Sequence, residues 1–260
     1  MREDDIWAII APDLISPHKK GDFFMSIRKN KLSALQKVQR ITVIALFCAF
    51  AYVAMFVTSW IKVGFLTFDA KDTVVTIAGL LFGPLYSLII SFSVAFIELI
   101  TVGDTGFWGF LMNFLSTAVF ACSCALIYKY KKNIKGAIIG ICVAVVSMTA
   151  VMLLLNLLVT PIYTGQPSRV IASMIPTLFL PFNLAKAIMN GALVLVLYKP
   201  ISRAMKAAGV LPTSSYQKDE ELKKSSLKTT FAVLGIGILF AAISLIIFVA
   251  VLGGSFSFGV

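Results

Sequence analysis

The sequence predicts an all-α fold of the polytopic membrane class, and two observations carry that prediction. Hydrophobic residues make up 59% of the 260 and charged residues only 13%, with a mean hydropathy of +0.93. A soluble domain is nearer half apolar and about a quarter charged. The apolar residues are also contiguous, in runs of about 20, the length a helix needs to cross a bilayer. A water-soluble fold with a polar skin is therefore excluded, and so is a disordered chain, which needs low hydrophobicity.

The first span covers about Ile41 to Trp60. Residues 1–40 precede it, acidic at the start, with Trp7 and a short apolar patch. Met25 opens a basic leader, Met25–Arg40, and translation starting at Met1 or at Met25 fits equally well. No apolar core of the cleavable-signal kind precedes the span. A stretch of alternating character follows, Ile61–Asp72, with Lys62, Phe65, Phe68, Asp69, Lys71 and Asp72.

The apolar region Thr73–Val102 is too long for one ordinary helix. Gly83-Pro84 divides it into Thr73–Phe82 and Leu85–Val102, because proline removes a donor and disfavours helix in the residue before it. One long kinked helix is the alternative. Gly103-Asp104-Thr105-Gly106 is a turn signal. The fourth and fifth spans are Phe107–Tyr128 and Ala137–Thr160, joined by the basic turn Lys129–Lys135. Pro161–Arg169 reads as a polar loop, and Val170–Leu180 as an apolar stretch interrupted by Pro176 and Pro181. Phe182–Tyr198 is the sixth span, and Phe231–Leu252 is a seventh apolar run beyond the charged linker Lys199–Lys228. The organisation is thus a segment 1–40, a membrane core 41–200, a linker 201–228, and a further membrane helix with its tail in 229–260.

Net charge is +11, from 23 Lys/Arg against 12 Asp/Glu. In a soluble chain that excess would point to nucleic acid. Here the bilayer is the partner, and no nucleic acid is needed. Residues 1–40 hold eight basic residues, Lys129–Lys135 four and Lys199–Lys228 seven, whereas Lys62, Lys71 and Arg169 are alone on the other side. Lys and Arg are retained on the cytoplasmic side. The N-terminus is therefore expected in the cytoplasm of a multi-pass cell-membrane protein. The alternation closes only if residues 73–102 cross twice, which favours the Gly-Pro division.

Polar side chains within a span are costly and mark functional sites or helix–helix hydrogen bonds. Asn183, Lys186 and Asn190 share one helix face, at i, i+3 and i+7. Asn156 and Thr160 are an i, i+4 pair, and Asn113, Ser116 and Thr117 occupy one side of the fourth span. At 1.5 Å per residue, Asn113, Asn156, Asn183 and Lys186 all fall within roughly 10 Å of the outer ends of their helices. Three helices bring amides and one ammonium to one layer, which reads either as helix glue or as a pocket open to the outside. Phe65, Phe68, Phe107, Trp108, Phe110 and Tyr163 crowd the same layer, as an interfacial belt or as the mouth of a small-molecule site. With Lys186 as the one charge in that layer, the ligand should be flat, electron-rich and neutral or mildly anionic.

Cys48, Cys122, Cys124 and Cys142 all lie in apolar runs and His18 is the sole histidine, so no metal site is expected. A glycine-rich phosphate loop is absent, and so is a two-histidine zinc motif, which makes an enzyme improbable. No catalytic cofactor is expected.

Phe65-Leu-Thr-Phe-Asp-Ala-Lys-Asp72 and Ile77-Ala-Gly-Leu-Leu-Phe-Gly-Pro84 resemble the substrate-binding S components of energy-coupling factor (ECF) transporters. Thr105-Gly-Phe-Trp-Gly-Phe-Leu-Met-Asn-Phe-Leu-Ser116, Pro181-Phe-Asn-Leu-Ala-Lys186 and Tyr198-Lys-Pro200 resemble the riboflavin-type subgroup. The likeness covers about Val38 to Leu211. It implies a six-helix core that captures a vitamin, with flavin as transported ligand. It also implies partners, a membrane scaffold protein and two ATPase subunits that supply the energy. By position, Asn156, Asn183 and Lys186 match residues that hydrogen-bond the flavin, and Phe65, Leu66 and Thr67 match the part of the first loop lying over it. Ala45 and Ala49 match the small-residue face that docks on the scaffold protein. The long N-terminus and the seventh span depart from the family's core. The competing reading is a secondary transporter coupled to an ion through Glu98 or Asp104.

Overall fold

A computed structural model describes residues 17–59, 61–63, 66–103, 106–210, 227–247, 249 and 255–256. Phe65, Trp60, Asp104, the first 16 residues and the linker section 211–226 lie outside the described residues. Two compact units are present, residues 1–43 and 44–260. Everything described in the first is helical from Pro17 onward, and Thr42 Oγ1 there donates to the Val38 carbonyl at 3.0 Å.

Helix α1 is Pro17–Thr58, and its apolar part is Val38–Thr58. The alternating stretch after it forms strands β1 (Ile61–Val63) and β2 (Leu66–Thr67), paired antiparallel with Lys62 opposite Thr67 and Val63 opposite Leu66. Alternation is the strand period, so these strands express the pattern read from Ile61–Asp72. Then come α2 (Lys71–Phe82), α3 (Pro84–Thr101), α4 (Gly106–Tyr130) and α5 (Ile134–Thr164). The chain continues through α6 (Ser168–Met174), a π-helical turn (Ile175–Phe179), α7 (Leu180–Ala207) and α8 (Leu227–Ile246) to β3 (Ser255–Phe256).

The Gly-Pro division is present. Gly83 sits at φ 107°, a conformation that favours glycine, and Pro84 opens α3 where a missing N–H costs nothing. α2 and α3 then lie close together, so that a side chain at Gly79 would collide with Ser87 Oγ. At 12 residues α2 reaches about 18 Å, short of the roughly 30 Å hydrocarbon layer. Among the described residues, five other segments are long and apolar enough to cross: Val38–Thr58, α3, α4, α5 and the continuous Ser168–Ala207.

The start of the loop expected at Pro161–Arg169 and the interrupted apolar stretch Val170–Leu180 are helical instead. α5 runs through Pro161 to Thr164 and stops at Gly165, whose φ of 69° ends it. Around Pro161, Asn156 Nδ2 donates to the Met152 carbonyl and Thr164 Oγ1 to the Thr160 carbonyl. Pro176 lies inside the π-helical turn, whose wider hydrogen-bond spacing joins α6 to α7 without a break. The polar connection shrinks to residues 165–167.

Small residues set the helix spacing. Gly140 of α5 faces the Cys124 carbonyl of α4, and Gly191 of α7 faces Ile141 of α5. Phe120, Ile90, Met148 and Ala144 are buried between helices, while Leu85, Ile100, Val146 and Leu158 are exposed on the outside. That inversion is what a lipid surround permits. The hairpin, the start of α2 and the end of α3 gather at one end of the bundle with the start of α4, the end of α5 and the start of α7.

Candidate functional site

The gathered end holds a buried ionic network. Asp69 follows β2, and Lys71, Asp72 and Thr73 form the first turn of α2, all four almost without exposure. Lys186 Nζ donates to Asp69 Oδ2 at 2.8 Å and lies 3.9 Å from Asp72 Oδ2. Lys71 Nζ donates to Glu98 Oε2 at 2.6 Å and lies 3.8 Å from Asp69 Oδ2. Asn113 Nδ2 donates to Glu98 Oε1 at 2.8 Å, and Thr117 Oγ1 to Asp72 Oδ1 at 2.6 Å. Three carboxylates against two ammonium groups leave one formal negative charge. Buried charges survive in such places only when paired and hydrogen-bonded.

Asn190 ties the network to the backbone. Its Nδ2 donates to the Asp69 and Lys186 carbonyls at 3.1 Å each, and its Oδ1 accepts from Thr73 N at 3.2 Å and Thr73 Oγ1 at 2.7 Å. Asp69 Oδ1 and Asp72 Oδ2 accept no hydrogen bond among the described residues. Both oxygens are buried, and neither aspartate lines the crevice beneath the hairpin.

The other candidate residues are placed as follows. Asn183 is buried and donates to the Phe179 carbonyl at 2.8 Å. Asn156 is buried, donates to the Met152 carbonyl at 2.7 Å and accepts from Thr160 Oγ1 at 3.1 Å. Each Nδ2 is thus bonded to a carbonyl one turn back along the chain. Leu66 and Ile61 of the hairpin pack on Phe182 beside Leu178, so the hairpin covers the start of α7. Thr67 is exposed, and Phe65 lies outside the described residues.

A crevice opens beneath the hairpin, lined by Ile61, Phe68, Phe182, Ala185, Lys186, Met189, Ser244 and Leu245. Its walls are apolar apart from the lysine and one hydroxyl. Of the aromatic residues expected around a mouth, Phe68 reaches it. Phe107 and Phe110 instead join a ring cluster with Phe92, Phe96 and Phe114 on the outer faces of α3 and α4, where Phe92, Phe96 and Phe107 are exposed.

The structure corrects one reading of the site. Lys186 is not a lone charge awaiting an electron-rich ligand, because Asp69 already holds it. Asp69, Lys71 and Asp72, read from sequence as part of an outer loop, are site residues. One signal was available: between residues 23 and 218 the only acids are Asp69, Asp72, Glu98 and Asp104, and a lysine at membrane depth requires one of them.

The sequence model of the family described as "ECF transporter, substrate-specific component" matches residues 39–202. The chain belongs to this family. As an S component it is a membrane transport protein and not an enzyme. It is 28% identical over 181 residues to the riboflavin transporter RibU of Staphylococcus aureus (strain TCH60), covering 66% of this chain and 95% of that one. It also resembles a solved S component of a bacterial ECF transporter, with a TM-score of 0.55 and 27% identity over 65% of this chain and 99% of the other. The family match to this S component ends at residue 202, before α8. Ala45 and Ala49 are exposed on α1 and lie within the matched region.

Proposed function

We propose that this S component captures riboflavin or a near flavin from outside the cell and delivers it with a membrane scaffold protein and two ATPase subunits. The observation that carries this reading is the Lys186 ammonium in the wall of an apolar crevice under the hairpin, a crevice of about 40 Å³ that must widen to admit a flavin ring. The likeness to a riboflavin transporter supports the same ligand. An isoalloxazine ring has an apolar dimethylbenzene end and a pyrimidine edge of acceptors with one N–H donor. Phe68, Phe182 and Met189 suit the first. Lys186 suits the acceptors.

Asn156 and Asn183 lie outside the crevice lining, each with its Nδ2 on a carbonyl one turn back (Met152 and Phe179), and their amides become ligand contacts as the crevice widens toward them. Leu66 and Thr67 belong to the hairpin that forms the cover, and Asn113 acts from further back by holding Glu98. The positive-inside rule puts the N-terminus and the linker 201–228 in the cytoplasm, with the crevice outside. Ala45 and Ala49 present a small-residue face for the scaffold protein. Ion coupling through Glu98 is disfavoured, because Lys71 and Asn113 occupy both of its oxygens.

The test is the absorption spectrum of the purified protein, followed by flavin fluorescence quenching and uptake into liposomes. A co-purifying flavin, tight binding and no uptake without ATPase subunits are expected. Uptake by the isolated protein under an ion gradient would overturn the reading in favour of a secondary transporter.

A further inference from the structure

Helix α8 and strand β3 lie beyond the family match, yet they pack on the site. α8 runs antiparallel to α7 through small residues. A side chain at Gly237 would meet Val196 Cγ2 at 2.9 Å and the Ala192 carbonyl at 3.3 Å. Two turns later Ser244 is buried and its Oγ donates to the Ala185 carbonyl at 2.7 Å. Gly237 and Ser244 are seven residues apart, as are Ala192 and Ala185 in the opposite order. Small residues at that spacing let two helices approach closely along a continuous seam.

This seam brings Ser244 and Leu245 into the lining of the crevice, which Phe68 and Lys186 also line. β3 then pairs with β1 antiparallel, Ile61 opposite Phe256 and Lys62 opposite Ser255, on the edge β2 leaves free. One segment thus forms a side of the crevice and extends the sheet that covers it.

We propose that α8 is a built-in wall of the substrate crevice and that Leu245 is a specificity-determining contact for the apolar end of the ligand ring. This rests on the flavin reading given above. Leu245 is about half exposed, so its side chain borders open space and can be changed without repacking the seam. Ser244 closes the seam, and the neighbouring Leu245 lines the crevice.

The test is riboflavin titration by fluorescence quenching on full-length variants. Leu245→Trp, which fills the crevice, should weaken riboflavin at least tenfold. Leu245→Ala should shift preference at least fivefold toward a flavin with a bulkier substituent on its benzene ring. Ile246→Trp, at an exposed neighbour on the same helix, should bind like the parent. If both Leu245 variants bind riboflavin and the bulkier flavin like the parent while Lys186→Met is weakened, the crevice holds something else, such as a lipid chain. The wall proposal then falls and the flavin site stands. Failure of the parent to bind any flavin would remove both.

Discussion

Lys186 Nζ lies 2.8 Å from Asp69 Oδ2, joining residues 117 positions apart in the chain. The contact fastens the segment after the hairpin to α7, the helix that also carries Asn183. A ligand that bonds Lys186 therefore acts on the pair, and through it on the cover formed by Ile61 and Leu66.

Removing one side of that pair should expose its cost. Asp69→Asn leaves a buried ammonium with a single carboxylate 3.9 Å away, and breaking a buried pair costs about 3–5 kcal/mol. A clear drop in thermal stability in detergent is expected. Adding Lys186→Met should recover part of it, and strictly additive losses would argue against the pairing.

The candidate ligand contacts should separate from the structural ones. Asn156→Leu and Asn183→Leu should weaken riboflavin by roughly ten- to a hundredfold, since an unpaired buried partner costs about 1–3 kcal/mol and a decade is about 1.4. Lys186→Met should cost at least as much, since hydrogen bonds to charged groups are worth about 1.5–3 kcal/mol. Asn190→Leu should reduce stability more than affinity, because its amide bonds Thr73, Asp69 and the Lys186 carbonyl. Fluorescence quenching and unfolding of the same four proteins distinguish these outcomes. Parent-like binding by all four would place the site elsewhere.

Bulky residues on α1 should uncouple capture from uptake. Ala45→Leu and Ala49→Leu sit on an exposed face and touch neither the ionic network nor the crevice. Riboflavin binding by the purified variants should match the parent, and uptake in cells should be lost. Weakened binding would contradict the docking role.

Orientation is open to direct labelling. In a background without Cys48, Cys122, Cys124 and Cys142, a single cysteine at Gln166 should react with an impermeant reagent added outside intact cells. A cysteine at Lys132, in the basic turn, should react only after permeabilisation. The reverse pattern would invert the topology.

How much was readable in advance depends on the distance over which each feature acts. The division at Gly83-Pro84, the short α2 and the family were legible because each follows from local composition, a proline's geometry or a quoted motif. The helical passage through Pro161 and Pro176 was not, because packing in the bundle overrides the local bias of a proline and a π-helical turn accommodates the second.

The sequence by itself determined that this is an all-helical membrane protein of the S-component family. Hydrophobic length and motif order are properties of the chain taken in series. Only the tertiary structure decided which charges meet: that Asp69 holds Lys186, that Glu98 is divided between Lys71 and Asn113, and that α8 flanks the crevice. The physical reason is that a buried charge is specified by its partner, and a partner over 100 residues away has no signature in local pattern. Helix packing through Gly237 and Ser244 is likewise a choice among small residues that any membrane helix contains, settled by which neighbour lets the backbones approach.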